Sequence, residues 1–559
     1  MKLVLTQYLA SLKERDELDV IMPDLLSEIG LNVISRPARG TRQYGVDVSA
    51  VGTLADGVRS LYLISIKPGD LRRSGWDTGE QSLRASLNEI RDVYIEKHIP
   101  KSYKDLPVVV VLCLGGELHE DVLLNVHSYM DQKSTDRISF QLWNGDALAS
   151  LLLSGILREH ALPDTWRSDL RKAVALVDEP DVSFGHFSRF LSDIADQCRP
   201  PRRAHLTAVR QIYLAVWTLY VWARDAGNIE AAYLCSERAM LIGWTLVKDH
   251  LPDKPKKAPH FSQSMQRLIA LHNTIADDYL ITYIKPRAKM LHGLTSAVPS
   301  HASLDINLRL FDILSRVGTR GLWLLHAFYL LEFEGRTEEA KNLREHLHDT
   351  ALLLADTINN NPILCTPIKD NQAIDINIAC LFLNKMGCNQ PVQNWIQQTA
   401  RATIFAYNSN TAYPCMFDEY RDLVDHPRDE SGYREEATAG SILVPTLAVW
   451  AATTGDTDTL AGLADFASGA YQHSTLQIWY PGPSTEMHLY RGSANHGVSA
   501  NPIAIGRTSD DMLAPIKSEC ARSDAFSSLS VLKYGLWPML ASASRHHRFP
   551  VPPHLWPLS

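Results

Sequence analysis

The stretch GVDVSAVGTLADGVRSLYLISIK, Gly45–Lys67, decides how the first part of this chain is read. Its β-branched and aromatic residues favour extended structure, and a turn at LADG divides it into VDVSAVG and LYLISIK. If the two strands pair through that turn, Asp47 at the start of the first lies beside Lys67 at the end of the second. Pro68 and Gly69 stop the second strand. An acid and an ammonium group on adjacent strand ends suit a plain charge pair. They also suit a site that holds a divalent cation and acts on a phosphodiester. Gly45 is expected to leave room for a phosphate backbone, and the Ile66 carbonyl is a candidate hard oxygen ligand.

The flanking residues extend the pattern. Between Leu12 and Ile29 the apolar positions Leu18, Ile21, Met22, Leu25, Leu26 and Ile29 fall on one helical face, and Gly30 ends it. LNVIS then reads as a strand. Beyond Lys67, QSLRASLNEIRDVYI places Leu83, Leu87, Ile90 and Tyr94 on one helical stripe. PVVVVLCL has the unbroken apolar run of a strand covered on both faces. ISFQLW supplies another strand and DALASLLLSGILREH a closing helix, with Asp146 as its expected N-cap. The order α-β-β-β-α-β-α-β-α predicts an α/β domain over residues 1–160.

Helix, strand, GVDV, a strand ending in SIK, then helix: this succession resembles the restriction-endonuclease-like PD-(D/E)xK nuclease superfamily, nearest in pattern to its Mrr-like and Holliday-junction-resolvase-like branches. The resemblance is confined to the first 115 to 160 residues. It implies a metal-dependent endonuclease acting on double-stranded DNA, with Mg²⁺ as cofactor and Mn²⁺ as a substitute. Asp47 and the Ile66 carbonyl would hold the metal, and Lys67 would orient the attacking water or offset developing charge. Where the family has Glu or Gln before x-Lys, this chain has Ser65, an uncharged and weak magnesium ligand. Ser65 and one relocated acid are therefore expected to complete the site, the acid sought at Asp19, then Glu17, both ahead of Glu28, with Asp70 a further candidate metal ligand. Gln81 is a candidate for positioning water or phosphate. Arg36, Arg39 and Arg42 before Asp47, and Arg72, Arg73 and Arg84 after Lys67, are candidate phosphate contacts, which position a duplex without reading bases. The family context adds restriction or anti-phage defence, and either a homodimer or a separate ATPase companion. The alternative is a noncatalytic nucleic-acid-binding or scaffold protein whose nuclease domain lost its second acid at Ser65.

Composition bounds the rest. A chain of 559 residues exceeds one hydrophobic core, so two to four domains are expected. A net charge of -8 excludes a chain that coats nucleic acid along its length, although residues 31–104 carry twelve Lys/Arg against eight Asp/Glu. The eight cysteines include no C-x-x-C pair and read as reduced thiols. With no leader-like segment and no apolar run of membrane-spanning length, a cytoplasmic protein without a membrane partner is expected. The chain has no G-x-x-x-x-G-K-[ST] phosphate loop, so any nucleotide-driven motor would be another polypeptide.

A mainly α-helical region with helical-hairpin packing is expected to follow the α/β domain. Residues 161–204 read as connecting helices, 205–395 as helical hairpins turning at AGN and EGRTEE, and 396–559 as a helical and loop-rich domain. IWYPGPSTEMHLYRGSANHG, at 478–497, interleaves Trp479, Tyr480, His488, Tyr490, Arg491 and His496. It is a candidate base- or peptide-gripping loop, or a loop tucked onto the helices.

Overall fold

The computed structural model describes residues 2, 6, 9, 10, 12, 18–35, 44–54, 57–78, 82–154, 164–198, 202–251, 259–492 and 498–558. Glu17, Gln81, Arg36, Arg39, Arg42 and His496 lie outside the described residues. The chain divides into two compact units: residues 1–239 with 250–268, and residues 240–249 with 269–559.

The first unit holds the α/β region. Helix α1 (Asp19–Glu28) leads into β1 (Asn32–Ser35), β2 (Val48–Thr53) and β3 (Arg59–Lys67). A short helix α2 (Arg73–Asp77) precedes α3 (Leu83–Glu89), which runs on through a π-helical turn, Ile90–Tyr94. Strand β4 (Val108–Leu114), helix α4 (Glu120–Lys133), strand β5 (Ile138–Trp143) and helix α5 (Gly145–Ser154) complete it. The five strands form one mixed sheet in sequence order: β1, β2 and β3 are antiparallel, and β4 and β5 run parallel to β3.

Each parallel step needs a helix to carry the chain back, and α3 and α4 supply those crossovers. They cover the face that presents Leu61, Leu63, Val110 and Leu112, closing a core with Leu83, Leu87 and Trp76. Covering both faces is why PVVVVLCL could afford no polar residue, and every residue of β4 is buried. On the opposite face, Met22 of α1 meets Cys113 with the two sulfurs 3.7 Å apart. Helices α6 (Asp164–Ala175), α7 (Pro180–Gln197) and α8 (Arg202–Asp225) continue this unit beyond the expected boundary at residue 160.

The second unit is mainly helical. Its hairpin of α9 (Ser303–Phe333) and α10 (Thr337–Asn359) turns at EGRTEE as the sequence predicts. Helix α11 (Ala373–Lys385), buried along nearly its whole length, lies against α9, where Gly321 faces the Phe382 ring. A second feature departs from expectation. Residues 475–481 of the loop-rich region form a strand in a three-stranded sheet: β6 (Gly440–Ser441), parallel to β7 (Thr475–Pro481), which pairs antiparallel with β8 (Val498–Pro502). Tyr490 is 1 % exposed and belongs to the core, so the 478–492 stretch is not a free aromatic loop. Helix α12 (Leu443–Thr453) follows β6, and α13 (Pro538–His547) lies near the carboxyl terminus. Among the described residues, no helix is long and apolar enough to cross a membrane.

Candidate active site at the carboxyl end of the central strands

Asp47 stands one residue before β2, and its backbone already belongs to the ladder, with its amide donating to the Ile64 carbonyl at 2.9 Å. Its side chain closes the next position, where the Ile66 amide donates to Asp47 Oδ2 at 2.7 Å. A carboxylate therefore stands in for a strand carbonyl at the end of the β2–β3 pair, in a charge-assisted bond that fixes its direction. N–H and C=O of one strand residue leave on the same side, so the Ile66 carbonyl also points to the β2 edge.

Gly45 enters this turn with φ +80°. A Cβ there would lie 2.3 Å from the Ser86 carbonyl oxygen of α3. The space expected to admit a phosphate is filled by the helix instead, and glycine is required for the turn and for that packing.

Lys67 ends β3 half-buried, and its carbonyl accepts from the Gly115 amide at 3.0 Å. Alternation along β3 puts Leu61, Leu63, Ser65 and Lys67 on one face, the face roofed by α3. Ser65 is 1 % exposed. At the position where the resemblance would expect a second acid, this chain thus has a small hydroxyl sealed in the core.

Asp19 is the first residue of α1 and half-buried. Its neighbour Leu18 comes within 3.5 Å of the Cβ position of Gly115, just beyond β4. Met22, one helical turn on, touches Cys113, which lies beside Ile66 in the sheet register. Burial, and secondarily the Asp47 charge, push the Cys113 thiol far above its ordinary range. These contacts put Asp19, Asp47 and Lys67 at the same end of the sheet.

The other sequence candidates are placed differently. Asp70 is exposed, and its Oδ1 accepts from the Glu117 amide at 2.9 Å, clamping the loop after β3 to the loop after β4. Arg72 and Arg73 are exposed at the start of α2. Arg84 pairs with Asp77 at 2.9 Å across the α2–α3 corner, both side chains largely in solvent. At the next loop, Asn144 rather than Asp146 caps α5, its Oδ1 accepting from the Ala147 amide at 3.0 Å. Asp146 instead pairs with Lys2 at 2.8 Å. Asn144 also donates to Glu117 Oε2 at 2.5 Å, and the motif reading gave no sign of this link.

The loops after β3, β4 and β5 are laced together by backbone bonds, with the Gly116 amide on the Gly69 carbonyl at 2.8 Å and the Gly145 amide on the Gly116 carbonyl at 2.7 Å. A Cβ at Gly116 or Gly145 would collide with neighbouring atoms at 2.3 or 2.8 Å. The loops that follow β3, β4 and β5 thus pack on one another through backbone at the end where open α/β sheets commonly hold ligands.

The donors that Asp47 and Ile66 themselves offer are oxygens, a carboxylate and a carbonyl, and Asp19 is a further carboxylate at the same end of the sheet. Hard oxygen donors suit Mg²⁺, which takes one or two protein carboxylates and keeps several waters. Among the described residues, no three His, Cys, Asp or Glu side chains converge as a metal cluster. No protein-family profile, curated protein or solved structure matches this chain.

Proposed function

We propose that the chain is a Mg²⁺-dependent endonuclease that hydrolyses phosphodiester bonds in DNA, with its site at Asp47, Ile66 and Lys67. The observation that carries this reading is the Asp47 carboxylate held on the Ile66 amide, at the end of the strand that terminates in Lys67. A carboxylate oriented by the backbone is preorganised, so it loses little freedom when it takes on a cation. Asp47, the Ile66 carbonyl and Asp19 would hold the ion, which supplies Lewis-acid stabilisation of the phosphoryl oxygens when bound. Lys67, at the rim of the core, neutralises charge developing on the phosphate or holds the attacking water. The polyanion would approach from the β1–β2 side, away from the loops after β4 and β5 that are laced to the loop after Lys67. The segment linking those strands carries Arg36, Arg39 and Arg42. Arg72 and Arg73, exposed past Lys67, are the described candidates for phosphate contact.

One observation favours a second reading. With Ser65 buried, the family's second acid is not replaced in place, and a domain that binds nucleic acid without cutting it fits that loss. The test is incubation of the purified full chain with linear, circular and single-stranded DNA and with RNA, with and without Mg²⁺ or Mn²⁺. Cation-dependent cleavage of DNA supports the nuclease. Binding without cleavage under every condition selects the noncatalytic reading.

A further inference from the structure

A cavity of about 290 Å³, counted to its open mouth, lies in the second unit between α11, α12, β7 and the segment that follows α13. Its walls are apolar, with Ile374 of α11, Ile442 just before α12, Trp479 of β7 and Trp556 near the carboxyl terminus. Among the described residues that line it, none is charged. The polar ones are Asn377, Thr446 and Gln477. The Thr446 hydroxyl donates to the Ile442 carbonyl at 2.8 Å, one helical turn back. The two amides are oriented by tryptophans. An indole N–H only donates, so an amide that meets it must present its oxygen. Trp450 Nε1 donates to Asn377 Oδ1 at 3.2 Å, and Trp479 Nε1 donates to Gln477 Oε1 at 3.1 Å. Each amide is left with its NH₂ group, and neither NH₂ donates to another group among the described residues. The Trp556 indole N–H is a third donor, buried and with no acceptor among the described residues. Asn377 is 2 % exposed, so two of the three donors are cut off from bulk water, an arrangement that disfavours the fold until an acceptor meets them.

We propose that this cavity binds a nucleobase, an uncharged planar heterocycle whose carbonyl and ring-nitrogen acceptors meet the donors of Asn377, Gln477 and Trp556. Its ring faces lie against the apolar walls, with Trp479 as the stacking partner at the half-exposed rim. A phosphate or carboxylate is the wrong ligand on two counts. The lining offers it no cation. The amino end of α12, otherwise attractive to an anion, is already taken by Asp370, whose carboxylate accepts from the Ile442 and Leu443 amides at 2.7 and 3.2 Å. The volume falls just under the range of roughly 300–1,000 Å³ for small-molecule sites, which suits one base with its sugar at the mouth. Every residue of the site belongs to the second unit, so the proposal stands whether or not the chain cuts DNA.

The test is isothermal titration calorimetry of the full chain with adenosine, guanosine, cytidine and uridine. At least one of them is expected to bind with a Kd below about 1 mM. Trp479→Ala removes the stacking partner from a half-exposed position and should weaken that binding roughly five- to hundredfold. Trp556→Phe keeps the ring and deletes only the N–H, and should weaken it roughly three- to tenfold. Gln477→Glu keeps the acceptor for Trp479, replaces the NH₂ donor by a second acceptor, and should weaken it at least as much. Circular dichroism on each variant checks that the fold is retained. A base can arrive as a free nucleoside or as an unpaired residue of a strand, so the single-stranded oligonucleotide of the base that binds is the second arm. If the oligonucleotide displaces the nucleoside, the base comes from a strand; if it does not, the ligand is the free nucleoside. No binding by any of the four nucleosides overturns the proposal, and so do folded Trp479→Ala and Gln477→Glu variants that bind as the wild type does.

Discussion

Asp47 has two separable duties, and two substitutions pull them apart. Asp47→Ala removes the acceptor that the Ile66 amide uses at 2.7 Å. A buried amide left without a partner costs about 1–3 kcal/mol, and each 1.36 kcal/mol is a factor of about ten in an opening equilibrium. Hydrogen exchange at the Ile66 amide should then accelerate by roughly ten- to hundredfold, with little change at Leu61–Ile64 in the ladder above it. Asp47→Asn keeps a side-chain carbonyl at the same distance and loses only the charge assistance, so exchange at Ile66 should rise less than about tenfold. The assay is exchange read by mass spectrometry on a peptide spanning β3. Equal exchange in wild type and Asp47→Ala would refute the anchoring argument. So would an Asn variant that opens as far as the Ala variant.

Other consequences follow from packing and charge. Gly45→Ala meets both a positive φ and the Ser86 carbonyl at 2.3 Å; it should destabilise the first unit by ~2–5 kcal/mol in chemical denaturation. Arg548 holds the buried Asp375 through two bonds of 2.9 and 2.7 Å. Arg548→Ala strands that carboxylate and should cost ~3–5 kcal/mol, seen as a lower unfolding midpoint of the second unit. Asp370 is buried and accepts from Ser441, Ile442 and Leu443 at the start of α12. Desolvation nevertheless outweighs those bonds and raises its pKa from 3.8 to about 6. Because the folded state binds this proton more tightly than the unfolded one, Asp370's stabilising contribution is complete below pH 3.8 and is lost as pH rises through about 6. The loss is ~3 kcal/mol. Asp370→Asn should flatten that part of the pH dependence of thermal unfolding, and an unchanged slope would contradict it.

The α/β order was legible because its signals are local. The β-branched runs of β2 and β3, the uninterrupted apolar β4 and the Leu83–Leu87–Ile90 stripe each specify an element within a few residues. The pairing that sets Asp47 against the end of β3 was legible for the same reason, since a hairpin turn fixes which strand ends meet. What escaped depends on tertiary neighbours. Gly45 looked like room for a ligand, but only the approach of α3 shows that Ser86 fills the space. The burial of Ser65 likewise follows from the roof over β3. Asn144 and Asp146 are both good capping residues, and the Lys2 ammonium, distant in sequence, engages Asp146. Strand β7 was hidden by Pro481 and the Pro-Gly-rich run after it, because its partner β8 begins beyond a long connection. The clamps at Asp70 and Asn144 join loops of different strands, a relation that no spacing along the chain encodes.

The most direct measurement of the central claim is the rate at which purified wild type and Asp47→Asn nick supercoiled plasmid in the same Mg²⁺ buffer, with chelator as control. The account predicts nicking by the wild type that stops on chelation and returns with added Mg²⁺. Asp47→Asn, with its fold intact, should be slower by about a hundredfold or more. Nicking by Asp47→Asn at the wild-type rate, or wild-type nicking indifferent to chelator, would contradict it.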